Sequence, residues 1–282
     1  MQCFQHSFTE NPQKIARFFA KIAVRALYDE LALYPKPGLV SFIDAGAHDD
    51  MDGLLLYRSL FALRHYFFQL SLQSALGASP PCLVQLGLAA EKRMQQITAG
   101  INTHRGAIFA LGIFCSSIAR LSCRQASFSL GDFQQTIRQQ WSEFLTDQHR
   151  PEKTSHGAWV KENYAVADAK QIAIAAYPLV FNTYEELSAH HDDKVFFGLL
   201  AYQRLLLALD DINVLYRTGP QGLAFARGHI QAAIVDSARE KSIHQASELH
   251  VLFSKKNISP GGVADMLGLL YFLHHVFSGR GA

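Results

Sequence analysis

Asn11-Pro12-Gln13-Lys14-Ile15-Ala16-Arg17-Phe18-Phe19-Ala20-Lys21-Ile22-Ala23-Val24-Arg25-Ala26-Leu27 decides the fold class. Ile15, Phe18, Phe19, Ile22, Ala26 and Leu27 recur at i, i+3, i+4 and i+7, which puts them on one face of an α-helix. Asn11 supplies an N-cap, and Pro12 sits where its missing N–H is harmless. Tyr34-Pro35-Lys36-Pro37-Gly38 stops this helix, because proline disfavours the α conformation in the residue before it. The same period recurs over about 52–76, up to Gly77-Ala78-Ser79-Pro80-Pro81. It recurs again over 83–98, 106–121, 131–147, 167–190 (broken at Pro178), 193–210, 220–238, 243–256 and 261–278. Apolar/polar alternation, the mark of a half-buried strand, is nearly absent. The expectation is an all-α, single-domain multi-helix bundle over residues 1–282, with about ten helices. The polar stretch around Thr146–Gly157 is expected to be a long loop.

Composition narrows the class. At 282 residues the chain can bury a large core without disulfide or metal staples. Hydrophobic residues at 49% and charged residues at 18% exclude intrinsic disorder. A net charge of +2 is too balanced for non-specific binding to long nucleic acid. Cys3, Cys82, Cys115 and Cys123 form no CxxC pair, which fits a reducing compartment. The amino terminus lacks a basic-then-apolar signal design. The apolar runs are short or interrupted, so no membrane span is expected, and the setting is read as cytoplasmic.

Four polar stretches behave neither as helix faces nor as ordinary linkers. They are Gly46–Asp52, Gly100–Gly106, Asp210–Asn213 with Arg217-Thr218-Gly219, and Ser259–Asp265. Three of them lie just before or at the start of an expected helix, where unpaired N–H groups and the helix dipole attract anions. Taken singly, Ser259-Pro260 reads equally well as a plain helix start, and Asp49-Asp50 as a solvated cap. Their recurrence, with Asp, Asn, Arg and Gly together, points to a polyphosphate and a divalent cation. Magnesium is typically held by one or two carboxylates plus phosphate oxygens. No zinc-ligand spacing, GxxxxGK[ST] or GxGxxG string is present.

In order along the chain, these strings resemble the triphosphoribosyl-dephospho-coenzyme A synthase family. The similar segments are Pro35–Val40, Gly46-Ala47-His48, Asp50-Met51, Glu91 with Met94 and Thr98, Gly100–Ala107, Asp211-Ile212-Asn213 and Asn257–Leu267. The resemblance implies a transferase that joins ATP to 3′-dephospho-coenzyme A with loss of adenine. The product is 2′-(5″-triphosphoribosyl)-3′-dephospho-coenzyme A, a prosthetic-group precursor. It also implies a functional link to an acyl carrier protein and its phosphoribosyl-dephospho-CoA transferase. Arg58–Arg64 and Ser155-His156-Gly157 with Val160 and Tyr164 look more like the malonate decarboxylase branch than the citrate lyase branch. Ser41, Asp49 and Ala167-Asp168-Ala169-Lys170 depart from the family pattern, with Lys161 and Asp44 as candidate compensators.

Such a reaction passes through an oxocarbenium-like state that carboxylates stabilise. Asp50, Asp211 and Asp265 are therefore assigned to magnesium or to the developing cation, with Asn213 as a neutral ligand. Asp50, Glu91, His104 and Asp211 form the catalytic set, Glu91 as alternative base and His104 either orienting a ribose hydroxyl or donating a proton to adenine. Lys36, Arg105 and Arg217 are expected to clamp phosphates with the N–H groups of Gly106, Gly261 and Gly262. His48, Asn102, Thr103 and Ser259 complete the substrate set. The alternatives are a magnesium-dependent ADP-ribosyl-type glycohydrolase using the same acids, and an inactive nucleotide-binding homologue.

Overall fold

The computed structural model describes residues 3–7, 11–148, 156–233 and 239–278. The first long helix, α1 (Pro12–Ala32), starts as its sequence predicts. Asn11 Oδ1 accepts the Lys14 N–H at 3.0 Å, and Ile15, Phe19, Ile22, Ala26 and Leu27 are buried. Next come α2 (Gly53–Ala62), α3 (Arg64–Ala75), α4 (Pro80–Ile97), α5 (Arg105–Ser122), α6 (Leu130–Ile137) and α7 (Glu143–Asp147). The chain continues through α8 (His156–Tyr164), α9 (Ala169–Ile174), α10 (Pro178–Glu186), α11 (Lys194–Ala208), α12 (Ile212–Ala233), α13 (Arg239–Lys255) and α14 (Gly261–Phe277). The all-α expectation holds, with one small addition. Two three-residue strands, β1 (Cys3–Gln5) and β2 (Ser127–Ser129), pair antiparallel with Cys3 opposite Ser129. They are too short to leave a period-2 signature.

The core is built on α1, α5 and α14. α14 is buried along nearly its whole length and packs on α1, α5, α10 and α11. α3 lies across α1 and α5, with α4 outside it, while α12 and α13 sit beside α11. By length and composition α5 could cross a membrane, against the expectation from sequence, but 78% of it is buried inside the bundle. It is a core helix.

Several boundaries differ from the sequence reading. The stretch 52–76 is two helices meeting at Leu63. The 131–147 stretch is α6 and α7 joined by a π-helical turn at Arg138–Ser142. The break near Pro178 is sharper than expected, since Ala176 and Tyr177 both adopt left-handed backbone, at φ 59° and 51°. α12 starts at Ile212 instead of near 220, with a kink at Gly219. Its expected end at 234–238 lies outside the described residues, as does 149–155 of the expected long loop. The last part of that loop is helical, as the start of α8.

Candidate active site

All four polar stretches sit at helix starts. Asp52 Oδ1 accepts the Leu55 N–H at the start of α2, and Asn102 Oδ1 accepts the Arg105 N–H at the start of α5. Asp211 serves two helices at once. Its Oδ1 accepts the N–H groups of Asn213 (2.9 Å) and Val214 (3.1 Å) in α12. Its Oδ2 accepts the Val263 N–H of α14 at 2.9 Å, and the Gly262 N–H also donates to this carboxylate. Burial pushes its pKa up to about 6 against the opposing pull of these donors.

The stretches also bind one another across long separations in the chain. His48 Nε2 lies 2.8 Å from Ser259 Oγ. Arg217 donates to the Ala47 carbonyl (2.7 Å) and to Asn257 Oδ1 (2.8 Å), and its other Nη lies 3.2 Å from His48 Nδ1. Burial and the Arg217 charge lower the His48 pKa. Asp50 Oδ1 lies 3.2 Å from the same Nδ1, so both ring nitrogens are engaged, Nδ1 by Arg217 and Asp50 and Nε2 by Ser259. Asn213 packs so closely over Gly261 that a Cβ there would lie 2.1 Å from Nδ2. Asp265 covers Gly106 in the same way, leaving no room for a Cβ on that glycine, and accepts the Ala107 N–H of α5. Burial, with Glu30 and Asp211 nearby, raises the Asp265 pKa to about 8.

A buried layer supports this surface. Lys36 is fully buried, and its Nζ donates to the Glu30 carbonyl and to Glu30 Oε1, both at 2.5 Å. Ser59 Oγ lies 2.7 Å from Thr103 Oγ1 and 2.8 Å from His104 Nδ1. His250 bridges the Lys36 carbonyl and Asp44 Oδ1, each at 2.7 Å. Tyr202 donates to the Pro37 carbonyl at 2.6 Å. Gly38 turns this segment with φ 75°, and a Cβ there would lie 2.0 Å from the Ile258 carbonyl oxygen. Gly38→Ala should therefore cost about 2 kcal/mol or more, from backbone strain plus clash. The check is the urea midpoint; a parent-like value would mean the turn yields without loss.

This geometry corrects several expectations. Lys36 is not an open phosphate clamp, because Glu30 holds its ammonium out of solvent. The Gly262 N–H already serves Asp211, and the Gly261 N–H donates to the Ser259 carbonyl at 3.0 Å, so neither is an open anion donor. His104 is not a proton donor near neutral pH, since burial and the Lys36 charge push its pKa down to about 4. Among the described residues no three His, Cys, Asp or Glu side chains gather to hold a metal. Asp50, Asp211 and Asp265 are thus not one ligand cluster. Asp211 is buried with its oxygens on backbone donors, whereas Asp50 is exposed at the rim beside Asp49.

Arg105 is exposed beside the partly buried Glu91, Nε to Oε2 3.4 Å, so the two share one spot on α4 and α5. Asn102 is also at the exposed rim. The departures from the family pattern have local explanations. Ser41 is buried and accepts the Ile43 N–H at 3.0 Å, stabilising a turn. Asp168 caps α9 and pairs with Lys161 at 2.9 Å, and Lys170 donates to the Gln148 carbonyl. Ser155 lies outside the described residues. Sequence reading missed Glu30 and Ser59, though each left a signal. Glu30 follows Ala23 and Ala26 on the buried stripe of α1, and Ser59 lies between Leu56, Leu60 and Leu63 on that of α2.

Comparison with known proteins follows this pattern. Residues 16–281 match the family model for ATP:dephospho-CoA triphosphoribosyl transferase. Three curated relatives are each named "Probable 2-(5''-triphosphoribosyl)-3'-dephosphocoenzyme-A synthase". The protein from Acinetobacter calcoaceticus is 29% identical, covering 97% of this chain and 95% of its own. That from Azotobacter vinelandii is 33% identical, covering 92% and 91%. That from Pseudomonas fluorescens is 32% identical, covering 96% of both chains. No solved structure matches.

Proposed function

The chain belongs to the ATP:dephospho-CoA triphosphoribosyl transferase family, and from that membership we propose that it transfers the triphosphoribosyl group of ATP to the 2′-hydroxyl of 3′-dephospho-CoA, releasing adenine. The observation that carries this reading is the mutual bonding of four polar stretches at the starts of α2, α5, α12 and α14. Residues from 46 to 265 thereby converge on one spot, where anions and a developing cation can be held together.

The residues then divide by exposure. Arg105 and Asn102, at the exposed start of α5, grip the triphosphate, which serves as a handle and survives the reaction. Asp50 at the rim offers the carboxylate for the magnesium that accompanies ATP; that ion neutralises triphosphate charge when bound. The partly buried Asp265 keeps its proton near neutral pH and gives it to the departing adenine nitrogen. Glu91, partly buried beside Arg105, takes the proton of the acceptor hydroxyl, while His48, with both ring nitrogens engaged by Arg217, Asp50 and Ser259, holds the rim loop in place. Asp211, Lys36 and His104 hold these groups in place. The product is assigned to the acyl carrier subunit of malonate decarboxylase, on the similarity of Arg58–Arg64 and of Val160 and Tyr164 to that branch.

Chromatography of ATP incubated with and without 3′-dephospho-CoA tests the reaction. Adenine and a triphosphoribosylated product should appear only with the acceptor present. Adenine released equally in both would mean hydrolysis, and none in either would mean a binding protein without catalysis. In parallel calorimetry, chelation of divalent ions should weaken ATP binding at least tenfold. Equal affinity with and without the metal would remove magnesium from the scheme.

A further inference from the structure

A groove of about 530 Å³ runs between α1 and the α2–α3 pair, on the outer face of the helices that carry the site. Its floor is aromatic. Tyr28, Tyr57 and Phe61 line it, Tyr57 stacking on Phe61 at 6.4 Å, and Phe42 packs beside Tyr28 and Tyr57 with ring centroids 5.6 and 6.0 Å away. Tyr28, Phe42, Tyr57 and Phe61 are each between 41% and 50% exposed, unusually open for four adjoining rings. The rim is cationic. Arg17, Lys21 and Arg25 recur along one exposed face of α1, opposite Arg64 and His65 of α3, and among the described residues no carboxylate lines the groove. Arg64 lies 4.3 Å above the Phe61 ring, which holds its guanidinium at the groove edge.

The groove and the site share their supporting elements. Phe42 belongs to the same loop as His48 and Asp50. α2 turns Ser59 inward to His104 while Tyr57 and Phe61 face the groove. α1 turns Glu30 inward to Lys36 while Tyr28 faces out. From Tyr28 to Arg17 the groove extends about 16 Å along the α1 axis at the helical rise per residue. That is too long for a lone phosphate and suits an extended chain.

We propose that this groove is the seat of the acceptor, an adenosine pyrophosphate carrying a long neutral arm; the proposal rests on the transferase reading above. The adenine lies against Tyr28 and Tyr57, with Phe42 packed beside them, next to the rim loop that carries His48 and Asp50. Arg25 and Arg64 hold the pyrophosphate from opposite walls. The pantetheine arm follows the floor past Phe61 toward Phe68. An all-cationic rim over aromatic rings matches a ligand that is anionic at its centre and apolar or aromatic at its ends. An anionic protein segment with apolar side chains is the competing occupant.

The test uses the full chain with Arg25→Ala/Arg64→Ala and Phe61→Ala, all at exposed helical positions where alanine preserves the helix. Steady-state adenine release should show KM for 3′-dephospho-CoA raised about tenfold or more, with KM for ATP and kcat unchanged. An active parent whose variants keep the parental KM for 3′-dephospho-CoA would overturn the groove and leave the transferase reading standing. Should the parent release no adenine, the transferase reading fails, and calorimetry with 3′-dephospho-CoA alone judges the groove. Binding lost in both variants would support it. Undiminished binding in them, or no binding by the parent, would overturn it and leave the groove to a protein segment.

Discussion

Asp211→Ala should lose on the order of 4 kcal/mol of folding stability and all measurable adenine release. The carboxylate is buried and accepts four backbone N–H groups, from Asn213, Val214, Gly262 and Val263. Alanine leaves these donors without their acceptor at two helix starts, and each unsatisfied buried donor costs about 1–3 kcal/mol. Water entering the gap recovers part of that. Asp211→Asn keeps one oxygen and presents an amide N–H₂ to the other pair of donors, so it should fall between alanine and parent. Urea unfolding measures all three. Parent-like stability in Asp211→Ala would mean that the carboxylate does not join the two helices.

Asp265→Asn should lower kcat for adenine release by about 10²–10³-fold, the usual contribution of a positioned proton donor. Its effect on stability has a distinct pH signature. The Asp265 pKa is raised from 3.8 to about 8 in the folded chain by burial and by the Glu30 and Asp211 carboxylates. Between those values the folded chain holds a proton that the unfolded chain has released. The stability contributed by Asp265 is therefore full below about pH 4 and is lost as the pH rises toward 8. Asparagine does not titrate, so the variant should gain on the parent over that window. A parent–variant difference that stays constant from pH 4 to 8 would show that Asp265 is ionised like an ordinary surface carboxylate. An unchanged kcat would remove it as the proton donor.

Much of this architecture is legible in the sequence because helices announce themselves locally. Asn11-Pro12 and the stripe Ile15–Leu27 give the start and the buried face of α1 within one window. The four polar strings are equally plain, since glycine, proline and acids gather where helices begin. What the sequence conceals is partnership over distance. Nothing near Asp211 tells that its second oxygen reaches Val263, so a capping group looks like a free ligand. Lys36 looks like a phosphate clamp until α1 brings Glu30 against it, although Glu30 on an apolar stripe is a readable sign that some cation must be near. His104 looks like an acid–base group until burial removes its proton. The missed strands are too short for a period, and the early start of α12 is hidden by Gly219 and Pro220, which read as a boundary and prove to be a kink within one element.

α14 both fills the middle of the bundle and begins at the site, where its first N–H groups meet Asp211 and its Asp265 meets α5. During synthesis this helix is the last of the described elements to leave the ribosome. Until it docks, a nascent chain has its rim residues but neither Asp265 nor the second half of the Asp211 junction. A partly made or partly folded molecule therefore lacks an assembled site, and only a chain that has completed its core brings the four polar stretches together.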